Sequence, residues 1–520
     1  YTLSVPETKD SFEVAFIGEL ANSTSNRYKV EYVTDFSTYQ EENENRQNLF
    51  KNTADASWED KSGKSYSDSV TKEVPVDVRY IDNASKSGEY NGTNKHITWT
   101  IFGNFNQETL KNATIVDPIK DGQDYVDGSA KVYEAILDKD GNPTKGPEET
   151  GAVSFADNTV TAKLPEGSTK AYMLVFETTL EGKVISDKPI YNTATYTNDG
   201  RSKEVSSSVK PYYGGYLATK SGEQDLNNRN YANWSVMINP SQSTLKNVEV
   251  VDEPSNNQLI DESSIVIYGT KVESNEYIGK DENNILELGK DYTVDLATDN
   301  ITGKQILTIR FLNEIHTAYK LEYRTRIQSI KVEDTLSNKL SVKGENEEVV
   351  SFETSSSTKV IVSGGSASGT AAAVKLVKTD ENTQKPLAGA QFELWTSEGK
   401  PDGQLIRSGE TDINGELRFG NLRPNEKYLL YETKAPAGFS VSQELRNGVE
   451  LQLEETWDIN LFETKELTND MPRIHFNKID GNDGHALAGA QFMVKNEQGE
   501  FYNGIESKYL ANWVASQDKV

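Results

Sequence analysis

Lysine, carboxylate and asparagine side chains fall on apolar strand faces at several places in this chain. Successive side chains in a β-strand point to opposite faces, so residues two apart share one. Lys378 in VKLVKTD shares a face with Val374 and Leu376. Glu432 in YLLYE lies with Tyr428 and Leu430, and Asn469 in ELTNDMP lies with Leu467. Upstream the acid is aspartate: Asp117 aligns with Ala113 and Ile115, and Asp252 with Val248 and Val250. Asn192 aligns with Ile190 and Ala194, and Asn338 with Leu336, Leu340 and Val342. Lys220 aligns with Tyr216 and Ala218; Lys86 is its counterpart through SKSG against TKSG, although the stretch before Lys86 alternates less cleanly. Lys478 in RIHFNKID aligns with Ile474 and Phe476.

Burial decides what such residues can do. An unpaired ammonium or carboxylate in a core costs several kcal/mol. Burial favours the neutral forms, lowering a lysine pKa and raising that of an acid. A neutral amine is a nucleophile. A protonated acid can donate to an asparagine carbonyl and shuttle protons. Attack of lysine on asparagine would form an amide and release ammonia. Such a tie constrains the unfolded chain as a disulfide does, nominally by about 4–5 kcal/mol for a loop of about 100 residues.

The plain alternative for a lysine near a strand end is a solvated or snorkelling side chain. Recurrence of lysine, acid and asparagine at matching places argues against it here. Other motifs read as ordinary structure. DKDGN, Asp138–Asn142, lacks the spacing and closing glutamate of a calcium loop and suits a hairpin turn. DING, Asp412–Gly415, is likewise a turn, and EENEN, Glu41–Asn45, a solvated loop. Trp99 and Trp234 occupy equal repeat positions, which points to core packing. Asn460 competes with Asn469 but lies opposite the face of Trp457, Ile459 and Leu461.

The elements that position these residues are strands. Short alternating runs bounded by Gly, Asn and Asp dominate the 520 residues, which predicts an all-β chain of sandwiches. That length suggests roughly three to five domains. The step from Trp99 to Asp117 equals that from Trp234 to Asp252, and the steps onward to Tyr133 and Tyr268 also match. LAGAQF occurs at Leu387–Phe392 and again at Leu487–Phe492. The net charge of −27 disfavours nucleic acid or an anionic membrane as partner. No apolar run is long enough to span a bilayer. Cysteine is absent and only four histidines occur, so disulfides, thiol nucleophiles and cysteine-based zinc sites are excluded. No metal cluster, cofactor motif, Ser-His-Asp pattern or paired-carboxylate cleft is visible, so a non-enzymatic protein is expected.

These residues resemble two domain types of Gram-positive surface adhesins and pilins. KTD…LAGAQFEL and YLLYETKAPAGF are similar to the opening and E-box of collagen-adhesin B-type (CnaB) domains, over residues 374–472. Residues 76–208 and 209–362 resemble tandem A-type (CnaA) domains, and 1–75 the C-terminal part of another. Residues 363–373 read as a Ser/Gly/Ala linker, and 473–520 as the N-terminal part of a second B-type domain. The resemblance thus implies an all-β chain of tandem immunoglobulin-like β-sandwich domains in an elongated array, with both ends expected to lie inside domains. The resemblance implies self-formed isopeptide bonds: Lys378 to Asn469 with Glu432 as catalytic acid, Lys86 to Asn192 with Asp117, and Lys220 to Asn338 with Asp252. Asn52 and Lys478 match orphaned halves and are expected to be unbonded. It also implies a secreted protein on a Gram-positive cell wall, anchored to peptidoglycan through a region outside this chain. The expected role is a structural adhesin stalk. Alternatives are a collagen-type matrix-binding module, or accessory domains of a secreted polysaccharide-active enzyme. Candidate partners are a host matrix protein or another surface protein.

Overall fold

A computed structural model describes residues 1–8, 11–22, 27–34, 49–75, 82–120, 122–138, 141–274, 277–328, 335–346, 349–360, 371–454, 462–471, 477–505 and 511–514. The chain is all-β, built of tandem sandwiches. In the first, one sheet runs in the order Pro143–Glu149, Lys131–Leu137, Ala171–Thr179, His96–Gly103, Ala84–Asn91. Its partner sheet runs Val153–Ala156, Thr159–Lys163, Thr114–Pro118, Ile190–Asn198, Arg201–Val209. The same order recurs next. One sheet is Ala218–Gln224, Tyr231–Ile238, Tyr319–Ile327, Val266–Ser274, Tyr277–Ile285. The other is Tyr292–Thr298, Gln305–Phe311, Lys246–Pro254, Thr335–Glu345, Val349–Lys359.

Alternation builds each core. His96–Gly103 and Thr335–Glu345 bury every second residue, which sends Ile97, Trp99 and Ile101 into one core and Leu336, Leu340 and Val342 into the next. The tryptophans sit at the centre, fully buried, each opposite a glycine: Trp99 faces Gly88 and Trp234 faces Gly222. A Cβ on Gly222 would lie 2.4 Å from the Trp234 ring, and one on Gly88 2.5 Å from Trp99. The glycine of the repeated KSG triplet is thus the floor on which the indole rests.

The third sandwich is smaller. Ala372–Asp380 lies between Glu416–Leu422 and Glu463–Asn469, and it runs parallel to the latter. The facing sheet is Leu405–Glu410, Gln391–Thr396, Lys427–Lys434, Val449–Gln452. The first LAGAQF copy feeds this core with Leu387, Ala390 and Phe392. DING turns between strands of the two sheets, with Asp412 N donating to Glu416 O; of DKDGN, Lys139 and Asp140 lie outside the described residues, and Asp138 N donates to Asn142 O between the antiparallel strands Lys131–Leu137 and Pro143–Glu149.

Specific contacts join the sandwiches. Gln242 Nε2 donates to Gly92 O at 2.9 Å and Lys95 Nζ to His316 O at 2.7 Å. Asn421 Nδ2 donates to Asn256 O and Thr302 O at 2.6 and 2.8 Å, and Leu259 of the second sandwich packs into the third core. Most of the expected 363–373 linker lies outside the described residues, as do Glu41–Asn45, Trp457, Ile459, Asn460, Leu461, Ile474 and Phe476.

Two expectations need correction. Alternation predicts an inward face for Lys478, but it is exposed, as are Leu487 (44 %) and Phe492 (53 %) of the second LAGAQF copy. Among the described residues around it, pairing is limited to isolated Ile479–Ala486 and Lys495–Phe501 bridges and the short Phe501–Ile505 and Ala511–Val514 pair, so no opposing sheet buries that face. Tyr216 is also half exposed, because it precedes the Ala218–Gln224 strand whose inward face holds Lys220. Within 1–75 the described strands form two-stranded ribbons, Thr2–Ser4 with Glu13–Ala15 and Leu49–Glu59 with Ser65–Pro75. A lone ribbon has no second layer, and Trp58 and Val70 remain exposed.

Substituting Gly222→Ala should destabilise the second sandwich by about 1–3 kcal/mol, since a methyl group must displace a fully packed indole. Thermal denaturation reads this directly, and a variant as stable as the parent would show that the Trp234 ring can move aside.

Candidate functional site

Each sandwich carries one buried cluster of lysine, acid and asparagine. In the first, Lys86 enters from the edge strand of one sheet, while Asp117 and Asn192 enter from the other. Lys86 Nζ contacts Asp117 Oδ2, and both side chains are fully shielded from solvent. The rings of Trp99 and Phe176 flank the amine, with centroids 5.2 and 5.6 Å away. Burial pulls the Lys86 pKa down and pushes that of Asp117 up, each partly offset by the charge of the other. Asn192 approaches Asp117 and tempers that rise, yet neither of its amide atoms meets a partner in hydrogen-bond geometry.

The second cluster repeats this plan. Lys220 Nζ contacts Asp252 Oδ2, again with both side chains buried, and burial lowers the Lys220 pKa. A fourth residue joins it. The Tyr323 hydroxyl donates to Asp252 Oδ2 at 2.7 Å and accepts from Lys220 Nζ at 2.9 Å and from Asn338 Nδ2 at 2.7 Å. Burial raises the Tyr323 pKa well above the usual phenol range, so it enters the cluster as a neutral hydroxyl.

The third cluster has another geometry. Lys378 and Asn469 sit on neighbouring parallel strands of one sheet, with Asp380 in register with Asn469. Glu432 reaches in from the facing sheet. Lys378 Nζ donates to Glu432 Oε2 at 3.1 Å and to Thr468 O at 2.9 Å, and Asn469 Nδ2 donates to Glu432 Oε1 at 2.7 Å. Burial lowers the Lys378 pKa and raises that of Glu432. The carboxyl group therefore touches amine and amide at once. In all three clusters the asparagine Oδ1 is buried without a partner.

Every residue named from the sequence for these three bonds lies in its expected cluster, so nucleophile, acid and amide are close together in solvent-shielded cores. Asn52 and Lys478 do not join a cluster: Asn52 is exposed and donates to the Tyr32 hydroxyl, and Lys478 is exposed. Two features escaped the sequence reading. One is Tyr323, visible only when YKLEYRTRI is set over YMLVFETTL and Tyr323 falls on Phe176. The other is a buried polar triad beside each tryptophan. Trp99 Nε1 donates to Thr178 Oγ1 (3.0 Å) and Gln123 Oε1 (3.2 Å), and Trp234 Nε1 to Thr325 Oγ1 (2.9 Å) and Gln258 Oε1 (3.1 Å). Equal Trp-to-Gln spacing in the two copies was the available signal. Among the described residues no group of three or more acidic or histidine side chains could hold a metal ion, and no helix is long and apolar enough to cross a membrane.

Comparison with known proteins matches residues 82–207 and 217–353 to the family model of a collagen binding domain, together slightly more than half of the chain. Residues 372–465 match a prealbumin-like fold domain. A collagen adhesin of Staphylococcus aureus is 24% identical over 264 residues, which is 49% of this chain and 21% of that protein. The chain thus spans about a fifth of the length of that curated relative. Similar solved structures include the collagen binding subdomain of the Enterococcus faecalis surface protein ACE (14% identity, TM-score 0.21, covering 28% of this chain and 97% of that one). Another is the full-length major pilin SpaD of Corynebacterium diphtheriae (14% identity, TM-score 0.20, covering 75% and 98%).

Proposed function

The chain belongs to the collagen binding domain family, and from that premise we propose that it is a structural stalk of a Gram-positive surface adhesin, hardened by three self-formed Lys–Asn isopeptide bonds. The bonds join Lys86 to Asn192, Lys220 to Asn338 and Lys378 to Asn469, with Asp117, Asp252 and Glu432 as the respective acids. One observation carries the reading: each core holds an amine beside a carboxyl group with the asparagine next to them, all shielded from water. Such a cluster is costly as an ion pair and is relieved by conversion to a neutral amide. Neither matched family is an enzyme family, so the chemistry is spent on the chain itself. The setting of this reading is the outer face of a Gram-positive cell wall.

A second reading, gripping of a collagen-type matrix protein, is favoured by the two collagen-binding-domain matches and by the staphylococcal relative. The two roles are compatible, since a stalk can also carry a ligand face.

Intact mass under denaturing conditions should be lower than the sequence mass by three ammonia. Glu432→Ala should restore one of them and leave two losses in place. A folded wild-type chain at full sequence mass would sink the cross-link proposal. Binding of the folded chain to immobilised fibrillar collagen, with fibrinogen alongside, should separate the two roles: saturable collagen binding establishes the ligand-gripping one, and none at micromolar chain leaves the stalk alone.

A further inference from the structure

The three clusters face one geometric problem, and two of them solve it in different ways. The acid must reach both the attacking amine and the amide nitrogen that departs. Glu432 has the length to do so alone, with one oxygen 3.1 Å from Lys378 Nζ and the other 2.7 Å from Asn469 Nδ2. Aspartate is one methylene shorter. In the second cluster Asp252 touches Lys220, and the Tyr323 hydroxyl fills the remaining gap, 2.7 Å from Asp252 Oδ2 and 2.7 Å from Asn338 Nδ2. The first cluster has no such bridge. Phe176 occupies the matching place, opposite Trp99 as Tyr323 is opposite Trp234, and Asn192 Nδ2 is left without a partner.

We propose that Tyr323 is a catalytic residue of the second cluster, relaying a proton from Asp252 to the nitrogen that leaves Asn338. The proposal rests on the cross-link reading above. The neutral Lys220 amine adds to Asn338 Cγ, forming the new C–N bond and placing negative charge on Oδ1. Nδ2, now tetrahedral, gains a lone pair and turns from donor into acceptor. The Tyr323 hydroxyl turns from Asp252 toward Nδ2 and gives its proton to it, while Asp252 passes its own proton to the Tyr323 oxygen. The Oδ1 electrons re-form the carbonyl, the Cγ–Nδ2 bond breaks, and ammonia departs. The surplus proton on Nζ returns to Asp252, so acid and tyrosine end as they began. The net change is amine plus primary amide to secondary amide plus ammonia.

The test follows bond formation site by site in the full chain, using cell-free synthesis stopped at intervals in denaturant. Digestion and mass spectrometry then count peptides linked through each lysine. Tyr323→Phe keeps the ring and its packing and removes the relay. It should slow the Lys220–Asn338 bond by at least about a hundredfold, the lower end of what general acid–base transfer contributes. The other two bonds, forming at unchanged rates in the same molecules, serve as the folding control. Replacing Tyr323 by difluorotyrosine keeps shape and hydroxyl but changes acidity, and should alter the rate at this site alone. A Tyr323→Phe chain that closes the bond at the parental rate overturns the relay. So does a difluorotyrosine chain with an unaltered rate, because a hydroxyl that only positions its neighbours would not respond to its own acidity. Absence of the Lys220–Asn338 peptide from the parent chain overturns the cross-link reading instead.

Discussion

A lysine ammonium stripped of water must either find a carboxylate or give up its proton, and three cores of this chain are arranged around that demand. Lys86, Lys220 and Lys378 are each shielded completely, and each is pressed against an acid that is equally dry. The surroundings follow from it. Tryptophan and phenylalanine rings close over the amines, glycines at 88 and 222 make room for the tryptophans, and Gln–Thr pairs satisfy the indole N–H that would otherwise be stranded. Alter the buried pair and the reason for this packing is gone.

Much of this was legible because period-two alternation is a local property. Asp117, Asp252, Asn338 and Glu432 could be placed inside by reading a few residues on either side, and the structure buries all four. Lys86 was harder, since Ser, Gly and Glu surround it and its strand begins only at Ala84. What local reading could not reach is cross-strand company. Tyr323 lies 103 positions from Lys220, and its hydroxyl matters only through three partners on other strands. Lys478 failed for the opposite reason: its neighbours alternate correctly, but alternation states which face a residue occupies and not whether anything covers that face.

The joints between sandwiches were the least legible part. Local pattern does not mark the second joint: Arg326 is buried against Glu426 across it, and Asn300, Gln404 and Asn421 make side-chain to backbone bonds there. A buried arginine is a poor hinge element, because separating the surfaces strands a charge that cannot be neutralised. The composition of a connecting segment therefore says little about a contact made by residues far from it.

The parallel pairing of Ala372–Asp380 with Glu463–Asn469 has a consequence for how a pull is received. Two parallel neighbours that open and close the unit have their outer ends at opposite edges of the sheet. Drawing the chain out from both sides slides one strand along the other, so the hydrogen bonds of the pair are loaded together in shear. Antiparallel hairpins such as Leu49–Glu59 with Ser65–Pro75 can instead be peeled from their open end, one bond at a time. Lys378 and Asn469 lie within the sliding pair, at the place where a stop against slippage would act on the whole ladder.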